Sequence, residues 1–144
     1  MVKVKDKLDE ALAKLKKPKP YFIGTLKLEE FDPGKEWILL APLSFVRKNG
    51  AIYTAEELFH TDGASIPKWL WSLVGGPLSG KYAKSAVIHD KLCRSGIVPR
   101  KKADKIFLEA MKADGVKFWK RRAMYMAVRA YSMWVRGKKD KSNG

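Results

Sequence analysis

Ala83-Lys84-Ser85-Ala86-Val87-Ile88-His89-Asp90-Lys91-Leu92-Cys93 has the apolar spacing of an amphipathic helix, with Tyr82, Ala86, His89 and Cys93 recurring at intervals of four, three and four on one stripe. His89 is therefore aimed at whatever this helix packs against, and Asp90 stands about 100° round the axis from it. Adjacent helical positions do not face each other, so the imidazole and the carboxylate must find different partners. The plain interpretation is a core histidine followed by a surface aspartate. The functional one is a base and a metal ligand carried on two faces of one helix.

Ser95-Gly96-Ile97-Val98-Pro99 closes this helix, and a second runs from about Arg100 to Ala113. Ala103, Phe107, Ala110 and Asp114 share one of its faces, and Asp104, Phe107, Leu108 and Met111 an overlapping one. Helices joined by a short loop are usually antiparallel neighbours, which predicts that Asp104 lies within hydrogen-bond reach of His89. A carboxylate on the distal imidazole nitrogen fixes the tautomer, raises basicity and leaves the other nitrogen free to activate water. A third helix is expected from about Lys117 to Val135, its Phe118, Trp119, Met126, Tyr131, Met133 and Trp134 reading as core.

Upstream, His60-Thr61-Asp62-Gly63-Ala64-Ser65-Ile66-Pro67 reads as a sharp connection, with Gly63 permitting the turn and Ser65 capping a short aromatic helix over Lys68–Val74. Asp90, turned away from the His89 stripe, is free to join the Asp62 loop. Two carboxylates with turn carbonyls and water make a hard oxygen site suited to calcium. Earlier still, Tyr21–Leu28, Trp37–Val46 and Ala51–Phe59 are predicted as three short antiparallel strands, with turns at Asp32-Pro33-Gly34 and Lys48-Asn49-Gly50. Residues 2–17 carry a narrow stripe of Val4, Leu8, Leu12 and Leu15 among lysines, ended by Lys-Pro-Lys-Pro at 17–20.

The expected organisation is thus a basic amphipathic arm (1–20), one α+β domain (21–136) and a disordered basic tail (137–144). The domain is mainly helical, with a small N-terminal antiparallel sheet. No apolar run approaches the roughly 18 residues of a membrane span, and the lysine-rich N-terminus is not a secretory signal. A single cysteine excludes an intramolecular disulfide framework and any cysteine-based zinc site, in keeping with a reducing compartment. These features suit a reducing cytoplasm. The net charge of +15 is concentrated late: residues 21–78 carry five basic and seven acidic side chains, residues 115–144 nine and one. Such a face suits an anionic partner such as a phospholipid surface, nucleic acid or a cell-wall polymer, and charge alone does not choose among them.

The run Thr61-Asp62-Gly63-Ala64-Ser65-Ile66-Pro67, then His89-Asp90, then Ala103-Asp104 with Phe107 and Met111, resembles an uncharacterised protein family common in phages and prophages. The same order, over residues 62 to about 134, is similar to prokaryotic secreted phospholipase A2. There a calcium loop precedes a His-Asp helix, an Ala-Asp helix and an aromatic-rich helix, matched here by the segment Tyr125 to Arg129. The resemblance implies a three-helix phospholipase A2-like core and calcium-dependent hydrolysis of a lipid ester. It makes Asp62 and Asp90, with Gly63, the calcium site, His89 the base and Asp104 its orienting partner. Cys93 stands where those enzymes have a tyrosine. The alternative is a non-catalytic phage accessory or structural protein whose basic half binds an anionic partner. A metal-dependent HD phosphohydrolase would need more histidines than the two present, and a Cys93–His89 nucleophile pair would need a thiol activated on a helix face.

Overall fold

The computed structural model describes residues 3–16, 18–62 and 80–142. The loop expected at 63–67 and the aromatic helix at 68–74 lie outside the described residues. Helix α1 (Lys3–Lys16) leads into six strands: β1 (Tyr21–Ile23), β2 (Leu28–Asp32), β3 (Glu36–Leu39), β4 (Leu43–Val46), β5 (Ile52–Ala55) and β6 (His60–Thr61). A 3-10 turn (Gly80–Tyr82) then opens α2 (Ala83–Ser95), followed by α3 (Arg100–Ala113) and α4 (Phe118–Ser142). The fold is α+β and mainly helical.

The strands form two three-stranded antiparallel sheets, ordered β1-β4-β5 and β2-β3-β6, where the sequence suggests one sheet of three. Two of the expected strands are each cut in half. Trp37–Val46 divides at Leu40-Ala41-Pro42, where proline cannot donate to a ladder, and its halves enter different sheets. Tyr21–Leu28 divides at Gly24, whose φ of +100° suits no other residue well; a Cβ there would meet the Pro42 carbonyl oxygen at 2.8 Å. Both predicted turns are present: Lys35 N–H donates to Asp32 O, and Gly50 lies at φ +87° between β4 and β5.

Helix α2 is buried on nearly every side because it separates two packed regions. Val87, Ile88 and Leu92 meet the β-layer residues Leu39, Leu43, Phe45 and Ala55 together with Ala103 and Ile106 of α3. Ala86 joins Tyr82, Phe107, Met111, Val116, Met124 and Val128 between the helices. Gly96, in the left-handed region at φ 66°, returns its N–H to Leu92 O and ends α2; Pro99 starts α3. The short link makes α2 and α3 neighbours.

Helix α4 departs from expectation in which side it buries. Met124 and Val128 face the core, whereas Phe118, Trp119, Met126, Met133 and Trp134 are each more than half exposed. Among the described elements α4 packs chiefly on α3, so one flank is covered and the rest of its apolar stripe is not. The helix also continues past the expected end near Val135 to Ser142. The Val4, Leu8 and Leu12 stripe of α1 is likewise exposed.

Candidate functional site

His89 is 4% exposed and Asp104 wholly buried, and the His89 Nε2–H donates to Asp104 Oδ1 at 2.6 Å. This is the pairing expected from two helices joined by a short link. The second oxygen, Oδ2, accepts from Arg129 Nη1 of α4 at 2.8 Å, so the carboxylate is matched by cationic donors on both sides. The His89 ring also lies 4.7 Å, centroid to centroid, from Phe107. Burial opposes the charged imidazole, but the hydrogen bond to Asp104 and the neighbouring Cys93 outweigh it and push the pKa up to about 9. At neutral pH the resting pair is thus an imidazolium and a carboxylate. With Nε2 engaged by Asp104, Nδ1 has no oxygen or nitrogen hydrogen-bond partner among the described residues; Cys93 Sγ lies 4.0 Å from it.

Asp90 does turn to the Asp62 segment, as its angular offset from His89 requires. Its Oδ2 accepts the Asp62 backbone N–H at 3.1 Å, its Oδ1 accepts from Arg94 Nε at 2.9 Å, and the Thr61 side chain also bonds it. Arg94 Nη2 lies 3.5 Å from Asp62 Oδ2, so one guanidinium spans both carboxylates. Burial, then the charge of Asp62, raises the Asp90 pKa despite these donors. Asp62 Oδ1 is buried and has no hydrogen-bond partner among the described residues. Gly63, the other residue assigned to the cation loop, lies outside them.

Both clusters open on one pocket of about 220 Å³, lined by Asp62, His89, Asp90, Cys93 and Arg94 on one part and by Arg100, Val128, Tyr131 and Ser132 on the other. The volume suits a few waters or the reacting polar group of a ligand whose remainder lies outside it. Chemically the arrangement offers an oriented imidazole with one free nitrogen, next to two carboxylates able to accept a cation.

Sequence reasoning did not find Arg129, Arg94, Thr61 or Ser132. Arg94 was within reach of it, because Asp90 and Arg94 have the i,i+4 spacing of a helical ion pair. Arg129 ends the Tyr125–Arg129 segment of the resemblance, but no spacing pointed to its pairing with Asp104, 25 residues away on another helix. Ser132, buried with an unpartnered Oγ among the described residues, looks in sequence like any polar helix residue.

The chain belongs to the family DUF1353, described as a protein of unknown function, whose model matches residues 37–128. The matched span runs from β3 into α4 and includes Asp62, His89, Asp90, Cys93, Arg94 and Asp104. Two proteins of Sinorhizobium fredii, both uncharacterised, are similar to it. One, y4jT, is 39% identical over 100 residues, covering 69% of this chain and 30% of its own. The other, y4iH, is 34% identical over 94 residues, covering 65% of this chain and 39% of its own. The chain therefore spans well under half the length of these relatives. No solved structure matches it.

Proposed function

We propose that this protein is a phage-type, phospholipase A2-like hydrolase of lipid carboxylic esters that uses His89 as base and Asp104 as its orienting partner. The observation that carries the reading is the buried 2.6 Å bond from His89 Nε2 to Asp104, which leaves Nδ1 as the nitrogen available to water. Resemblance to the phospholipase motif order supplies the reaction class; the geometry supplies residues able to perform it.

Calcium is part of the proposal, and the residues fit it in kind. Asp62 and Asp90 are oxygen donors brought together, and Asp62 Oδ1 lacks a partner among the described residues. Bound there, calcium would polarise the ester carbonyl and stabilise the oxyanion. The chain's own groups do the rest. Nδ1 of neutral His89 takes the proton of an attacking water, and Asp104 holds the ring in the needed tautomer and stabilises the resulting imidazolium. Arg129 fixes the Asp104 carboxylate from its other side.

The test is fatty-acid release from phospholipid vesicles with calcium or with a chelator. Activity should require calcium, and His89→Gln should lower it at least about a hundredfold, the low end for general-base catalysis. A wild type inactive on anionic and zwitterionic vesicles alike ends the enzyme reading.

A second reading has its own observation. The exposed Phe118, Trp119, Met126, Met133 and Trp134 lie on a helix rich in cations, with Arg121 and Arg122 both against the Phe118 ring. An aromatic and basic face of this kind favours an accessory protein acting on an anionic partner, a phospholipid surface before nucleic acid. Among the described residues no helix is long and apolar enough to cross a membrane, so any membrane contact through these helices is at the surface. Vesicle sedimentation dependent on anionic lipid, without hydrolysis, would select this reading; preferential binding of single-stranded nucleic acid would redirect it.

A further inference from the structure

We propose that His89, Cys93 and Asp104 form a binding site for a soft divalent metal of the zinc class, opening on the pocket they share with Ser132. The single cysteine excludes a site built from several cysteines, but the expectation that it excludes every cysteine-containing zinc site is the one this proposal reverses. The fold nevertheless brings a sulfur, an imidazole nitrogen and a carboxylate oxygen within 4.8 Å of one another. Cysteine sulfur, histidine nitrogen and aspartate oxygen are each zinc ligands, and a site with three protein ligands keeps a fourth position open.

Zinc bonds of about 2.0 Å to nitrogen and about 2.3 Å to sulfur, at a tetrahedral angle, place those two ligand atoms about 3.5 Å apart. Cys93 Sγ lies 3.6 Å from His89 Nε2 but also 4.0 Å from Nδ1, so it sits beside the ring and swings toward the Nε2 lone pair to share an ion there. The same construction asks for about 3.3 Å between nitrogen and carboxylate oxygen, against 2.6 Å in the hydrogen-bonded pair. Binding therefore replaces the shared proton with the ion and moves the Asp104 oxygen away by a fraction of an ångström. The Nε2 and thiol protons leave to solvent. Asp104 Oδ2 keeps its bond from Arg129, which orients the ligating carboxylate as outer-shell donors commonly do. The independent sign of a missing ligand is Ser132, 4% exposed, with no partner for Oγ among the described residues, lining the same pocket as His89 and Cys93. A water in the fourth position could accept its hydroxyl proton.

Occupancy would take Nε2 from Asp104 and remove the orienting bond, so zinc would inhibit the hydrolase proposed above. The binding claim does not depend on that activity. Untagged protein at mildly alkaline pH is titrated with cobalt(II), followed in the near ultraviolet, and in parallel with zinc, followed by melting temperature. A thiolate-to-cobalt charge-transfer band at one equivalent, a zinc-dependent rise in melting temperature, and zinc protection of Cys93 from alkylation are expected. Cys93→Ser should lose the band and most of the thermal shift; its position near the partly exposed end of α2 lets the variant fold. The proposal is overturned if wild type shows no charge-transfer band. It is equally overturned if zinc stabilises Cys93→Ser as much as wild type, which would place the ion elsewhere, for instance at the surface pair His60 and Glu36. Active enzyme that binds no cobalt refutes only this inference; a metal-binding protein without lipase activity refutes only the other.

Discussion

On one face of α2, His89 and Asp104 are almost wholly withdrawn from solvent, and each carboxylate oxygen has a cationic donor at 2.8 Å or less. On the other face Asp90 is just as buried, yet its companion Asp62 is 41% exposed and Arg94, which spans the two, is 43% exposed. The first arrangement is almost wholly buried and matched by its donors; the second is under-neutralised among the described residues and closer to solvent. Buried charge is tolerated where partners are fixed and numerous, and ion pairs near the surface are easily exchanged. One face thus holds its proton in place, and the other is the more readily rearranged of the two.

The sharpest way to break this contrast is Asp104→Ala. It leaves the imidazolium and the Arg129 guanidinium facing each other without a counter-ion, and removing one partner of a buried network typically costs about 3–5 kcal/mol. Denaturant unfolding should register most of that loss; a change under about 1 kcal/mol would mean the pair is more hydrated than its burial indicates. Asp104→Asn, which still accepts a hydrogen bond, should lose less.

A smaller effect follows from pH, because Asp104 and Arg129 remain paired when His89 loses its proton. The folded His89 pKa of about 9 lies above its ordinary 6.5. The folded state therefore holds the proton more tightly than the unfolded chain. The stabilisation is complete below pH 6.5 and is lost as pH rises through about 9. Melting temperature should decline across that window, and His89→Gln should flatten the decline. The same pKa predicts that hydrolysis, if present, rises with pH toward 9, since the base must first be neutral. A rate already level at pH 7 would contradict the pairing.

The smallest intrinsic effect is expected from Asp90→Asn. Folding disfavours the ionised form of Asp90, chiefly through burial, so a neutral amide should alter unfolding by no more than about 1 kcal/mol. What it should remove is the calcium-induced rise in melting temperature, as should Asp62→Asn. If calcium stabilises neither wild type nor variants at millimolar concentration, the second face is a static ion pair and not a cation site.

Much of the helical architecture was legible because its signals are local. Tyr82, Ala86, His89 and Cys93 mark a face within four turns, Gly96 and Pro99 mark the break, and the break forces α2 and α3 together. The β-layer was less so. Trp37–Val46 is apolar but for Ser44, and although Pro42 interrupts it, only the strand pairing shows that its halves enter different sheets. The α4 stripe misled for the opposite reason: amphipathic periodicity identifies an apolar face but not whether anything covers it, and here Trp119, Met126 and Met133 stay exposed.

By itself the sequence determined that His89 and Asp90 face apart, that Asp104 follows on a neighbouring helix, and that the late helices are strongly cationic. Each depends on helix geometry or composition over a dozen or so residues. Only the tertiary structure decided that Arg129 closes the His89–Asp104 pair, that Arg94 spans Asp62 and Asp90, and that Cys93 Sγ comes within 4.8 Å of ligand atoms of His89 and Asp104. Contacts between separate elements depend on how helices pivot and slide as their cores pack, and a difference of one helical turn exchanges one partner for another without changing the local pattern.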